Sequence, residues 1–172
     1  MSTLLSLKVP TPETVVKVSD SEGFAVRGLT PYQVVALYKR HAGELEPLFQ
    51  RVVEGVKAQG EAQVSDIEAI VLSLATEAPG ILAEIIALAS GGDPSDLSDA
   101  TFVDPASGGR ITLPAFDASV EVARHLPFPV QAQALQAISD LTFTSDMPPG
   151  KFFALVTKLA GAVTRAMKGL AI

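Results

Sequence analysis

The sequence predicts a mainly α fold: a compact bundle of six to seven helices, with a small N-terminal β-hairpin and a looped insertion able to carry a second hairpin. Three observations point there. Apolar residues recur at helical spacing through most of the chain. Hydrophobic residues make up 48% of it while aromatics reach only 6%, so the core is built of Leu, Val, Ile and Ala, which suits packed helices. Two short stretches break the helical rhythm with β-branched runs flanking clusters of turn formers. A chain of 172 residues is long enough to bury such a core without staples.

Taken in order, residues 1–14 end in "VPTPE" and predict an extended arm. The remainder, 15–172, reads as a single mainly helical domain, with a hairpin at 15–29, helices over 31–91, an Asp/Gly-rich insertion at 92–115 and helices over 117–170. Val15–Val18 and Phe24–Arg27 bracket the turn formers Ser19, Asp20, Ser21, Glu22 and Gly23, the pattern of a hairpin. A lone hairpin is marginal in water, so this one needs a surface to lie on.

Thr30-Pro31 opens the first helix, with Thr as N-cap and Pro where its missing N–H costs nothing. Val34, Leu37, Tyr38 and Ala42 share one face. Gly43 and Pro47 predict a break near Ala42–Glu46 and a second helix running to about Lys57. Ser65-Asp66-Ile67-Glu68 has capping-box spacing, followed by the stripe Ile67, Ile70, Val71 and Leu74. Pro79 restarts the helix, and Ile81, Leu82, Ile85, Ile86 and Ala89 carry it to a stop at Gly91. Within the loop-like insertion, Thr101–Val103 and Arg110–Leu113 are placed to pair across Asp104–Gly109. Three helices follow, at about Ala118–His125, Pro129–Leu141 and Pro149–Gly169.

Composition removes several kinds of function. A net charge of −6 disfavours nucleic acid, whose binding needs a cationic surface. With no cysteine, disulfides and thiolate metal sites are excluded. The opening "MSTLLSLKVP" lacks a basic leader and meets a proline early, and no apolar run approaches the ~20 residues that span a bilayer. The expectation is a soluble, intracellular protein.

The residues for catalysis are also missing. No G-x-S-x-G elbow, phosphate loop or zinc-type His spacing occurs. His41 reads as a flank residue of the first helix with its polar edge in water, and His125 as a cation at a helix C-terminus. Asp93, Asp96, Asp99 and Asp104 lack calcium-loop spacing and are better explained by capping and solvation than by a weak cation site. The protein is therefore expected to be no enzyme, with no catalytic residue, cofactor or metal.

The last helix is the most informative for binding. Phe152, Phe153, Leu155, Val156, Leu159, Val163 and Met167 spread over a broad apolar arc, while Lys151, Lys158 and Arg165 recur on the other side. It is either a core helix with a solvated basic face, or an arc wider than one small domain covers. In the second case these seven residues are candidate partner-binding positions, for self-association or for another helix.

The order of pieces then matches a known pattern. A hairpin ending in "FAVRGLT", then "ALYKRHAGELEPLF", "LATEAPGILAEIIALA", "ARHLPFPVQAQALQAISDLTF" and "GKFFALVTKLAGA" together resemble the tail assembly chaperones of long-tailed bacteriophages, also called pre-tape-measure proteins. The resemblance covers roughly Val15–Ala162, and Gly92–Ala115 looks like an insertion relative to it. It implies a mostly helical, non-enzymatic, self-associating protein that coats the aggregation-prone tape measure protein in the host cell cytoplasm. It further implies displacement as the tail tube grows, and so absence from the mature virion, with the tube protein as a second candidate partner. Many such proteins come in two lengths by ribosomal frameshifting, and a chain ending at Ile172 would match the short form. The alternative is a structural or adaptor protein retained in the tail.

Overall fold

The computed structural model describes residues 11–59, 73, 74, 76–148, 151, 152, 154, 155 and 158. It opens on a hairpin of β1 (Glu13–Lys17) and β2 (Gly23–Arg27), paired antiparallel with Val16 opposite Phe24 and Thr14 opposite Val26. Strand alternation drives Val16 and Val26 fully into the core and leaves Val15 on the outer face. The turn closes with Val18 and Ser19 N–H groups donating to the Glu22 carbonyl. At the open end, Arg27 Nε donates to Glu13 Oε1 at 2.7 Å.

Thr30 and Gln33 then cap each other. Gln33 N–H donates to Thr30 Oγ1 at 3.2 Å, and Thr30 N–H donates to Gln33 Oε1 at 2.9 Å. With Pro31 in its first turn, helix α1 (Pro31–Arg40) starts cleanly and buries Val34, Leu37 and Tyr38. Helix α2 (Ala42–Gln59) begins one residue after α1 ends, with His41 as the joint. The expected break is thus a corner at His41 rather than a gap reaching Glu46, and Pro47 lies inside α2. The helix tolerates it because the carbonyl deprived of a partner, that of Gly43, is on an exposed residue.

The expected capping box at Ser65–Glu68 and its Ile67, Ile70 and Val71 lie outside the described residues; Leu74, at the end of that stripe, is buried. Helix α3 (Pro79–Ala89) forms the centre. All nine residues from Ile81 to Ala89 are buried, Glu84 among them. Gly91 ends it at φ +95°, a conformation that suits glycine.

A second antiparallel hairpin, β3 (Asp99–Val103) and β4 (Arg110–Pro114), pairs Phe102 with Ile111. Its strand β4 runs directly into α4 (Ala115–Arg124), which therefore starts three residues before the expected Ala118. Helix α5 (Phe128–Thr142) follows at the paired prolines, Pro127 and Pro129. Gln131 Nε2 donates to the Ala123 and Arg124 carbonyls at 3.0 and 3.2 Å, closing the end of α4 from the next helix. Helix α4 packs on α3 and carries β3 and β4, while α5 packs on α3 and on both strands of the first hairpin.

The expected bundle of six to seven helices is not what forms. Among the described residues there are five helices and two separate two-stranded antiparallel sheets, a mixed α and β arrangement. The reason is that both hairpins are structural layers: Val16, Val26 and the half-buried Phe24 belong to the core cluster or pack on it. The residues 1–10 of the expected arm, and most of the expected Pro149–Gly169 helix, lie outside the described residues.

The first hairpin is held at a tight contact. A Cβ on Gly28 would lie 2.4 Å from the Leu141 carbonyl oxygen, and the next N–H, of Leu29, donates to Thr142 Oγ1 at 2.9 Å. Gly28→Ala should therefore force the hairpin off the end of α5 and lower stability by about 1–3 kcal/mol, as other overpacked sites do. Denaturant unfolding measures this; an unchanged midpoint would contradict the contact.

Candidate protein-binding site

The two hairpins stand on either side of α4 and leave an open groove of about 800 Å³ between them. Val18, Gly23 and Phe24 line one wall and Ala100 and Phe102 the other, and the floor comes from Ile86 of α3 with Ala118, Ser119, Val122 and Ala123 of α4. The space exists because the floor of α4 is small: alanine and serine at helical spacing cannot fill the gap between two arching hairpins. Val18 and Val122 remain 38% and 40% exposed. Among the described residues, Glu22 is the one charged side chain in the lining.

Glu84 is the second notable feature. It sits amid an otherwise apolar helix, 8% exposed, and is met by the corner between α1 and α2. Arg40 Nη1 donates to Glu84 Oε1, and His41 Nε2 lies 2.7 Å from Glu84 Oε2. His41 is thus a buried-carboxylate partner rather than a flank residue with its polar edge in water. The sequence did carry a signal: a lone acid inside "PGILAEIIALA" cannot be buried without a cation. Beside this cluster runs a further groove of about 620 Å³, bordered by Tyr32, Arg40, Glu84 and Pro94.

His125 behaves as expected, capping α4 with Nδ1 at 3.0 Å from the Glu121 carbonyl. The acidic loop residues organise backbone. Asp93 accepts from Ser95 and Asp96 from Ser98. Asp104 accepts from the Ser107 hydroxyl and from the Ala106 and Ser107 N–H groups. These bonds hold all three carboxyls below the usual range, the Ser107 hydroxyl acting most strongly on Asp104 and His125 adding a small electrostatic pull. Among the described residues no three His, Cys, Asp or Glu side chains converge as a metal site would need, and no helix is long and apolar enough to cross a membrane.

The candidate partner-binding residues are split. Phe152 is buried at 4% exposure and meets Phe143 edge to face, with ring centroids 5.3 Å apart at 78°. It is placed as a core residue, whereas Leu155 is 41% exposed. Phe153, Val156, Leu159, Val163 and Met167 lie outside the described residues. The groove, by contrast, is not among the sequence candidates, since nothing in the chain says how far apart two hairpins will stand.

A model of the pre-tape measure protein family matches residues 2–171, nearly the full length. The chain belongs to the pre-tape measure protein family. That membership ties it to phage tail assembly and to the tape measure protein. No curated protein and no solved structure matches the chain. In this pre-tape measure protein the described surface best suited to hold another chain is therefore the groove over α4, with the Glu84 cluster bracing the helix beneath it.

Two outcomes test these assignments. Arg40→Met leaves Glu84 buried with a cation lost, and should cost toward the lower end of the about 3–5 kcal/mol typical of a broken buried pair, because Arg40 is half exposed and His41 remains. Glu84→Leu removes the buried charge itself and should cost less, with the double variant recovering most of the loss; equal losses in denaturant unfolding would contradict the pairing. For Asp104, a lowered carboxyl means its contribution is complete above the ordinary 3.8 and is lost as pH falls through the lowered value. Ser107→Ala should move that carboxyl titration upward in NMR, and an unmoved midpoint would remove Ser107 as the cause.

Proposed function

We propose that the protein is a tail assembly chaperone, binding the tape measure protein and keeping it soluble until the tail tube assembles around it. The observation that carries this is the open apolar groove over α4 in a chain of this family. Each Val, Leu or Phe that a client buries there contributes about 1.5–3 kcal/mol. One such groove gives a modest grip. Repeated along a long client, modest grips add by avidity, yet each can be released singly as the tube advances.

On this reading the protein acts by protein–protein contact and not by catalysis, it self-associates, and it works in the host cell cytoplasm. Exposed Tyr32, Leu97 and Phe128 offer further apolar contact for copies lying side by side on one client.

Co-production in a bacterial host provides the test. The tape measure protein made alone should be largely insoluble, and should become soluble and co-purify with this chain in several copies. Mass spectrometry of finished particles should find the chain depleted. Abundant copies in mature tails would favour a retained structural or adaptor role, and a client left insoluble would defeat the chaperone assignment.

A further inference from the structure

The groove also indicates what kind of segment it takes. A helix with side chains is 10–12 Å across and rises 5.4 Å per turn, so about 800 Å³ holds roughly one and a half to two turns. Its floor, Ala118, Ser119 and Ala123 on one face of α4, allows the close approach that helix-on-helix packing needs, about 8–10 Å between axes. The interior is aliphatic and aromatic, but the surrounding walls are acidic. Residues 13–27 and 92–124, which wall and floor the groove, hold nine acidic side chains against four basic ones, a net −5 of the chain's −6. Two of the four bases are already engaged, Arg27 with Glu13 and Arg124 with Glu121.

We propose that this groove receives a short amphipathic helix of the client with an aliphatic stripe of about two turns flanked by Lys or Arg. This rests on the chaperone reading and adds the chemistry of the bound segment to it. The stripe fills the space over α4 while the flanking cations face Asp20, Glu22, Asp99 and Asp117 on the surrounding elements. Acidic amphipathic helices of equal hydrophobicity are turned away by the same walls.

Synthetic peptides of about 14 residues, long enough for helix formation on binding, test this by fluorescence anisotropy with the full chain. One carries a Leu stripe with Lys elsewhere, a second replaces Lys by Glu, and a third keeps Lys but replaces Leu by Ser. The first should bind at least about tenfold more tightly than either other, a difference of about 1.4 kcal/mol, and should weaken as salt rises. Val122→Asp and Val18→Asp, both at exposed positions that leave the fold intact by circular dichroism, should each reduce its affinity by about tenfold. The proposal is overturned if the Glu or Ser peptide binds equally well, or if both variants retain full affinity. It is equally overturned if a photo-cross-linker at position 122 captures only the chain's own residues or a second copy. Groove variants that still solubilise the tape measure protein would defeat this inference while leaving the chaperone role standing. A wild-type chain that binds the Leu/Lys peptide but leaves the tape measure protein insoluble would do the reverse.

Discussion

Everything in this fold is arranged around a helix with no outward face. From Ile81 to Ala89 every residue of α3 is buried, so the helix needs neighbours on all sides. Its one carboxylate adds a second demand, because an uncompensated charge there would cost several kcal/mol. The corner at Arg40–His41 meets that demand, and in doing so fixes the α1–α2 turn against the centre. Helices α4 and α5 and the first hairpin cover the remaining sides. A buried pair of this type is a weak source of net stability, but it is specific: only one docking of α1 and α2 brings both cations to the same acid.

Much of this arrangement is legible in the chain itself. The Thr30-Pro31 start, the Pro79 restart, the Gly91 stop and both hairpins are set by local chemistry, which short windows of sequence contain. Features made by contact between distant segments are not legible in that way. Local rules place Pro47 at a helix start, yet α2 accommodates it where the lost hydrogen bond faces water. The two β-branched runs suggest appendages to a bundle, but Val16 and Val26 are core residues. Phe152 and Leu155 share one apolar arc in the sequence, and only packing against Phe143 separates a buried residue from an exposed one.

The groove belongs to this second category. Its parts are visible as two β-branched runs and an alanine-rich helix, but the gap between them depends on where Gly28 and Pro114 set the hairpins. On the chaperone reading, function thus rests on a space that separate elements leave among them. A surface of that kind carries no motif, and its chemistry shows in the sequence only as an excess of acid in the surrounding segments.

The hydrogen bond from Leu29 to Thr142 spans 113 positions of the chain, and this has a consequence for synthesis. The first hairpin leaves the ribosome early, but the helix end it docks on is made more than a hundred residues later. Until then Val16 and Val26 have no completed layer to enter, and closing so long a loop is slow. Folding therefore completes only once translation has passed Thr142, and the nascent N-terminal part must stay out of aggregates in the meantime. A guardian of another chain would thus pass through its own exposed interval at birth.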